Sequence, residues 1–433
     1  MQTRQAPFAA IATDLGMLRM GFMESSAESL SSASRAASLS ARTTTTLDNQ
    51  GGENPLFSRP FVQRNGRTYL NDTSLPYPLP SDLTETHRQS LRSLLLIQLF
   101  GAPVCSSSVT KKPPQRVLEV GCGSGFWSMM CHRYFKERGH SQISFTGIDI
   151  AAITAADAPK PDRDMQWEFV HHDIRQLPWP LASEEFDLIM VKDMSLATTN
   201  AQHQGFIDEY LRILRPGGTL EFWESDHLIR MLRPHVPGSA PTVDEADEQE
   251  AASSLGAYLL SPNTPLTAPQ NEYLVEYNGW LTRALESRDL SAVPCTLVGP
   301  LLLQESETLT EVRTRRLAIP LSEVRWEREG VGGVVTQDGK QTGEARGKEH
   351  KMGKTLTAGQ IALRKTALLT VVQQVQALEP ILREINNKSL DEWDAWLGKM
   401  MGNLMVNSDS ILGECLEVGA WWAKKRKTRS QQG

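Results

Sequence analysis

Arg116-Val-Leu-Glu-Val-Gly-Cys-Gly-Ser-Gly-Phe126 is the stretch whose reading decides the fold. Val117, Leu118 and Val120 make a short apolar run of the kind that forms a buried strand. Glycines at 121, 123 and 125 follow, and helical spacing starts at about Trp127, with Met130, Tyr134 and Phe135 along one face. Strand, glycine-rich turn and helix are the first half of a βαβ unit, which holds a nucleotide-like ligand at the carboxyl end of its strand. Glycine suits such a turn because it accepts positive φ and lets a ligand approach the backbone.

The spacing then separates two ligand classes. A dinucleotide fingerprint reads G-x-G-x-x-G, whereas here Phe126 stands where the third glycine of that pattern would be. An NAD-dependent oxidoreductase is disfavoured on that count. The observed form, Glu119-x-Gly121-x-Gly123-x-Gly125, resembles motif I of the class I S-adenosylmethionine-dependent methyltransferases. The resemblance implies an α/β fold: a Rossmann-like, seven-stranded, mostly parallel sheet with helices on both faces and an antiparallel last strand between the fifth and sixth. It also implies S-adenosyl-L-methionine as cofactor.

Downstream acidic residues fit the same frame. Ile143 to Ile150 alternates like a strand and reaches Asp149, about where a carboxylate accepts both ribose hydroxyls; a plain strand-end cap is the other reading. Trp167 to Val170 reads as a third strand and runs into His171-His172-Asp173-Ile174. By the resemblance, Asp173 accepts from the adenine amino group and Ile174 packs on the ring. The paired histidines lack the spacing of a metal motif, so no metal site is expected. Phe186 to Val191 has the unbroken apolar character of a strand buried on both faces. The loop after it, Lys192-Asp193-Met194, faces the transferable methyl in this fold. Leu214-Arg-Pro-Gly-Gly218 recurs in the family before the fifth strand, and Trp223, Glu224, Asp226 and His227 then fall at the carboxyl edge of the sheet. The cofactor set implied is Glu119, Gly121, Cys122, Gly123, Gly125, Asp149, Ile150, Asp173, Ile174 and Lys192. Direct methyl transfer depends mainly on alignment, so the catalytic group is not legible; Asp193 and His227 are the candidates by position.

Composition narrows the function further. The chain has 433 residues, 40% apolar, and a net charge of −6, which supports no whole-protein nucleic-acid footprint. The cysteines at 105, 122, 131, 295 and 415 form neither a C-x-x-C pair nor a zinc spacing, as in an intracellular protein with reduced thiols. No apolar run approaches the roughly 18 residues of a membrane span. A cytoplasmic or nuclear protein is expected.

Along the chain, residues 1–60 are rich in Ser, Thr and Ala and read as disordered, with a transit peptide as the alternative. The catalytic domain is placed at 65–424, with an acidic, Pro-rich insertion at 232–270 and a disordered loop at 330–353. Leu75-Pro-Tyr-Pro-Leu-Pro80 is held extended by its prolines, and a helix starting at Ser81 carries Leu91, Leu94, Leu95 and Leu99 to Gly101. The Tyr77-Pro-Leu-Pro segment is similar to a stretch ahead of motif I in fungal LaeA-type methyltransferase-domain proteins, where it folds over the cofactor. The loop departs from that subgroup, which usually has an Asp and small residues at the positions of Glu119 and Cys122. Tyr273, Tyr277, Trp280, Leu281 and Ala284 mark one further helix. A sixth strand is read at Thr308–Pro320, followed by two helices. The first has Ile361, Leu368, Val371, Val372, Val375 and Leu378 on its apolar face. The second opens on the capping box Ser389-x-x-Glu392 and carries Trp393, Trp396 and Met400. Leu416–Trp422 reads as the last strand, and 425–433 as a basic tail, either solvated or a nuclear localisation signal. The substrate expected is a small molecule or a lipid, and the LaeA-type alternative is a nuclear regulator acting through protein partners.

Overall fold

The computed structural model describes residues 61–151, 160–233, 243–261, 264–324, 356–406 and 410–427. The Ser/Thr-rich segment 1–60, the loop 330–353 and the end of the basic tail lie outside the described residues. The described chain opens with strands β1 (Phe61–Arg64) and β2 (Arg67–Leu70), paired antiparallel across Asn65-Gly66. Both turn residues have positive φ, 48° and 75°, which suits the hairpin turn that Asn-Gly favours. Sequence reading passed over that dipeptide.

Helix α1 (Leu83–Phe100) has its cap one residue later than the expected Ser81. Asp82, not Ser81, caps it by accepting the Glu85 N–H at 3.0 Å, and Asp82 also pairs with Arg67 of the hairpin. Gly101 ends the helix in the left-handed conformation. The short α2 (Ser107–Lys111) leads to β3 (Arg116–Val120), and α3 (Phe126–Lys136) follows the glycine loop. Then come β4 (Ser144–Asp149), β5 (Gln166–His171), β6 (Phe186–Lys192), α4 (His203–Ile213) and β7 (Leu214–Ser225).

These strands form the parallel half of the sheet, in the order β5-β4-β3-β6-β7. On β6, Leu188 and Met190 face one apolar core while Ile189 and Val191 face the other. Two-sided burial is why this strand reads as a continuous apolar run. Gly147 in β4 has its own packing reason. A Cβ there would lie 2.4 Å from the Trp167 ring and 2.6 Å from the Cys122 sulfur, so the indole of β5 and the thiol of the loop close over bare backbone.

The second half of the chain adds β8 (Arg230–Leu232), α5 (Val243–Ser254), β9 (Tyr258–Leu259), β10 (Leu266–Thr267), α6 (Glu272–Glu286), α7 (Val298–Gln304) and β11 (Leu309–Pro320). Helices α8 (Ala358–Ala377), α9 (Glu379–Asn386) and α10 (Leu390–Met401) precede the last strand, β12 (Glu414–Lys425). β12 lies antiparallel between β7 and β11, so the long strands run β5-β4-β3-β6-β7-β12-β11. The seven-stranded expectation describes this core; the short β8, β9 and β10 extend it to a ten-stranded sheet among the described residues. One face is covered by α1, α3, α6 and α8–α10, the other by α4 and α7.

Three sequence expectations need correction. Two helices were expected before the last strand and three are present, because Pro380 starts α9 in its first turn rather than breaking α8. Ile361 was placed on the apolar face of α8 but is exposed, while Leu363, Ala367 and Val371 are buried. The basic tail begins later than 425: Lys425 belongs to β12, where its Nζ donates to the carbonyls of Leu211 in the last turn of α4 and of Leu214 just after it. The capping box at Ser389 is present on both sides, Ser389 Oγ accepting the Glu392 N–H and Glu392 accepting the Ser389 N–H. Ser389→Ala is expected to cost about 1 kcal/mol of stability, read as a lowered urea midpoint with an unchanged slope.

Candidate active site

The glycine loop sits where β3 hands over to α3. Gly121, Gly123 and Gly125 all have positive φ (62°, 51° and 69°), a conformation costly for any residue with a Cβ. Above Gly123 the space is open: a Cβ there would find nothing nearer than the Gln89 Oε1, at 3.9 Å. That clearing is what a ligand lying on the backbone requires.

Asp149, at the end of β4, fastens the loop. Its Oδ2 accepts the Gly123 N–H and its Oδ1 the Ala151 N–H, each at 2.8 Å. Burial raises its pKa, and these backbone donors offset part of that cost. A carboxylate held so at the loop's rim keeps lone pairs for two further donors, the chemistry a ribose diol needs. The adjoining Ile150 offers its carbonyl to His171 Nε2 at 2.8 Å.

Glu119 has another task. It is buried, and its Oε2 accepts the Ser128 N–H at 3.2 Å and Oγ–H at 2.6 Å, bracing the first turn of α3. Burial pushes its pKa up to about 7. A carboxylate whose folded pKa lies above its unfolded value adds stability that is complete below about 4.5 and is lost as pH rises through the folded pKa. The stability of the wild type relative to Glu119→Gln should therefore fall from pH 5 to 8, by up to about 3 kcal/mol, as measured by urea unfolding across that range. The Cys122 side chain turns into the sheet against Gly147, so its contribution to the cradle is main chain. Ile174 is likewise in the core, 9% exposed.

Asp173 is brought to the same sheet edge but is engaged. Arg175 grips it in a fork, Nε to Oδ1 at 3.0 Å and Nη2 to Oδ2 at 2.8 Å, and the same guanidinium reaches Asp72 at 2.7 Å and the Ser74 carbonyl at 3.1 Å. Arg175 thereby ties the extended segment before α1 to the third strand's end. Further along that segment Tyr77 accepts from Gln89 Nε2 at 3.1 Å, and Gln89 is the side chain nearest Gly123.

On the other side of the loop, Lys192 Nζ pairs with Asp193 Oδ2 at 2.8 Å, and Arg92 Nε pairs with Asp193 Oδ1 at 3.0 Å. Burial opposes the charge of Asp193, but these two cations outweigh it and hold the carboxyl well below the usual range. It is a poor proton acceptor and a good fixed anion. From Arg92 a buried chain of hydrogen bonds continues through Gln374 Oε1 (3.1 Å) and Gln374 Nε2 to His227 Nδ1 (3.1 Å). His227 Nε2 meets Ser195 Oγ at 2.9 Å, and Ser195 Oγ donates to Glu224 Oε2 at 2.8 Å. Burial depresses the His227 pKa to about 3, so the ring is neutral with both nitrogens committed. As a base His227 is badly placed; as a link holding α8 to the loop after β6 it is well placed. Sequence reading missed Arg92, Gln374 and Ser195. The signal available was polar residues within apolar helices, Arg92 among the leucines of α1 and Gln374 among the valines of α8.

His132, Asp162 and Asp164 also lie together, at the back of α3, but Arg133 pairs with Asp162 and Lys136 with Asp164, leaving a balanced charge cluster.

Residues 117–218, from β3 to the turn opening β7, match the family described as a methyltransferase domain. The secondary metabolism regulator LaeA of Aspergillus niger is 30% identical over 170 residues, 38% of this chain and 41% of that protein. A fatty-acid O-methyltransferase of Mycolicibacterium smegmatis is 29% identical over 150 residues, 35% of this chain and 48% of that protein. The chain thus spans less than half the length of these relatives. Among solved structures, a phosphoethanolamine N-methyltransferase of Haemonchus contortus covers 80% of this chain and 59% of its own at 11% identity, with a TM-score of 0.35. With its glycine loop, its strand-end carboxylates and its antiparallel closing strand, the chain resembles the class I, S-adenosylmethionine-dependent methyltransferases and, among them, the LaeA-type proteins, and residues 117–218 match a methyltransferase domain.

Proposed function

We propose that this chain is an S-adenosylmethionine-dependent methyltransferase acting on a small-molecule or lipid acceptor. The observation that carries the reading is the positive-φ loop Gly121–Gly125, open above Gly123 and fastened to Asp149. When bound, the cofactor supplies an electrophilic methyl on a sulfonium. The loop's backbone and Asp149 hold its nucleoside. Asp173 would serve the adenine if Arg175 shared or released it, and Asp193, ion-paired with Lys192 and Arg92, would hold the loop after β6 at the edge of the cradle. Rate then comes from alignment of donor and acceptor rather than from a proton-transfer group. Relatives named for methylating fatty acids and malonyl-acyl carrier protein favour a carboxylate or other lipid-like acceptor.

Calorimetric titration of the purified protein with S-adenosylhomocysteine and with NAD tests the assignment. Binding of the first alone supports it; no binding of the first overturns it.

A second reading follows from the LaeA relatives: a regulator that works in the nucleus through protein partners, with methylation incidental. The basic cluster gives it little independent support, since Lys425 serves α4 and Arg426 donates to the Ser306 carbonyl. Imaging of the full-length protein decides it, and exclusion from nuclei would end it.

A further inference from the structure

A polar cavity of about 270 Å³ opens at the far edge of the sheet. Arg230 of β8 and Arg316 of β11 line it on one side, and Ser261, Thr264 and Thr296 on the other. β11 stands four strands from β3 in the sheet order, about 19 Å at the usual strand spacing. The cavity is therefore separate from the glycine cradle. Methyl transfer needs donor and acceptor within about 3–3.5 Å, so a group seated here is out of reach of a methyl held at the glycine loop.

Two buried carboxylates set the arginines in place. Glu417 takes Arg316 on one oxygen, Nε at 2.7 Å together with Nη2, and Arg230 Nη2 on the other. Asp226, just past β7, pairs with that same Nη2 and accepts the Cys295 N–H at 3.0 Å. Both guanidiniums are thus fixed from behind, which lowers the ordering entropy that a flexible arginine loses on gripping a ligand. Each still has donors to offer. Nη1 of Arg230 and Nη1 of Arg316 make no hydrogen bond among the described residues, and Arg230 Nε is buried without a partner. On the facing wall Thr264 Oγ1 accepts the Ser261 N–H at 3.0 Å and lies 3.2 Å from Ser261 Oγ, so the turn presents two hydroxyls close together. Thr296 Oγ1 donates to the Val293 carbonyl, which leaves its oxygen as an acceptor.

We propose that this cavity is a second binding site, distinct from the cofactor cradle, for a small hydroxylated monocarboxylate. Its carboxylate meets the Nη1 donors of Arg230 and Arg316, and its hydroxyls meet Ser261, Thr264 and Thr296. The count of charges selects a single negative charge. Two guanidiniums already face two carboxylates, Asp226 and Glu417, so the cluster is balanced before a ligand arrives. One carboxylate can be held by charge-assisted hydrogen bonds from the two arginines, whereas a phosphate dianion brings a second charge towards Asp226 and Glu417 with no cation left to meet it. The size is sufficient, since protein cavities of roughly 150 Å³ already take benzene.

Calorimetric titration of the full-length protein with gluconate, with glucitol and with inorganic phosphate tests the site; glucitol is gluconate with its carboxylate reduced to an alcohol. Gluconate should bind at least about tenfold more tightly than either of the others, the effect of one hydrogen bond to a charged group. Arg316→Lys keeps a cation beside Glu417 but loses the forked donors, and should weaken gluconate at least about tenfold. Thr296→Trp, at an exposed wall position, covers the cavity without touching the buried carboxylates and gives the same reading if the lysine variant does not fold. S-adenosylhomocysteine affinity should stay within about twofold in both variants. Absence of gluconate binding by wild type, or unchanged gluconate affinity in a folded variant, overturns the site. Glucitol bound as tightly as gluconate overturns carboxylate recognition, and phosphate bound more tightly overturns the preference for a single charge. A tenfold change of S-adenosylhomocysteine affinity in a folded variant overturns the separation from the cradle.

Discussion

Asp149→Ala is expected to lower S-adenosylhomocysteine affinity by about a hundredfold or more with the fold intact. The carboxylate has two jobs, and the substitution ends both. It withdraws the acceptor for a ribose diol, where each hydrogen bond to a charged group contributes roughly 1.5–3 kcal/mol; two such bonds, at the low end, already give about a hundredfold in the dissociation constant. It also strips the Gly123 N–H of its partner, letting the loop relax from the conformation that keeps the cradle open. Asp149→Asn should fall between wild type and Ala, because an amide keeps one oxygen and places a donor against a donor at the other. Calorimetry with circular dichroism as the folding control reads both variants. Wild-type affinity in a folded Asp149→Ala protein would falsify the cofactor assignment.

Trp127→Ala carries the largest expected effect on stability, about 3–5 kcal/mol. Trp127 is the second residue of α3, two past the loop's last glycine, is 1% exposed, and sits in the core shared by α1, α3 and the sheet. Its Nε1 donates to the Pro103 carbonyl at 2.8 Å, tying the connection after α1 to the helix that follows the glycine loop. Truncation leaves a cavity of indole size and an unpaired buried carbonyl together. The fall in the urea midpoint should exceed that of Ser389→Ala several-fold, and the cofactor site should loosen with it, because the same helix start is what Glu119 braces. A Trp127→Phe variant, which restores most of the volume but not the N–H, separates the two contributions. A loss below about 1 kcal/mol for the Ala variant would mean that α3 is held by something other than this contact.

What sequence alone determined is local. The glycines at 121, 123 and 125 could be assigned because a strand-to-helix turn at this spacing demands positive φ, and the strands because their burial writes itself as apolar runs. Asp149 could be assigned because a strand end fixes where its carboxylate emerges. The Ser389 capping box, too, is a relation between neighbours in the chain. The hairpin at Asn65-Gly66 was as local and as legible, and α9 was hidden only because proline at a helix start looks like proline at a break.

Tertiary structure decided what depends on partners far apart in the chain. Sequence offered Glu119 and Cys122 as cofactor contacts, but packing turns one to Ser128 and the other to Gly147. His227 was offered as a base; Gln374, 147 residues away, together with Ser195, takes both its nitrogens. Asp193 owes its fixed charge to neighbouring Lys192 and also to Arg92, 101 residues upstream. The physical reason is the same in each case. A motif specifies where a side chain leaves the backbone, whereas its charge and availability depend on which groups long-range packing sets against it. The glycine loop is a property of its own eleven residues, Arg116 to Phe126; the network beside it belongs to the whole fold.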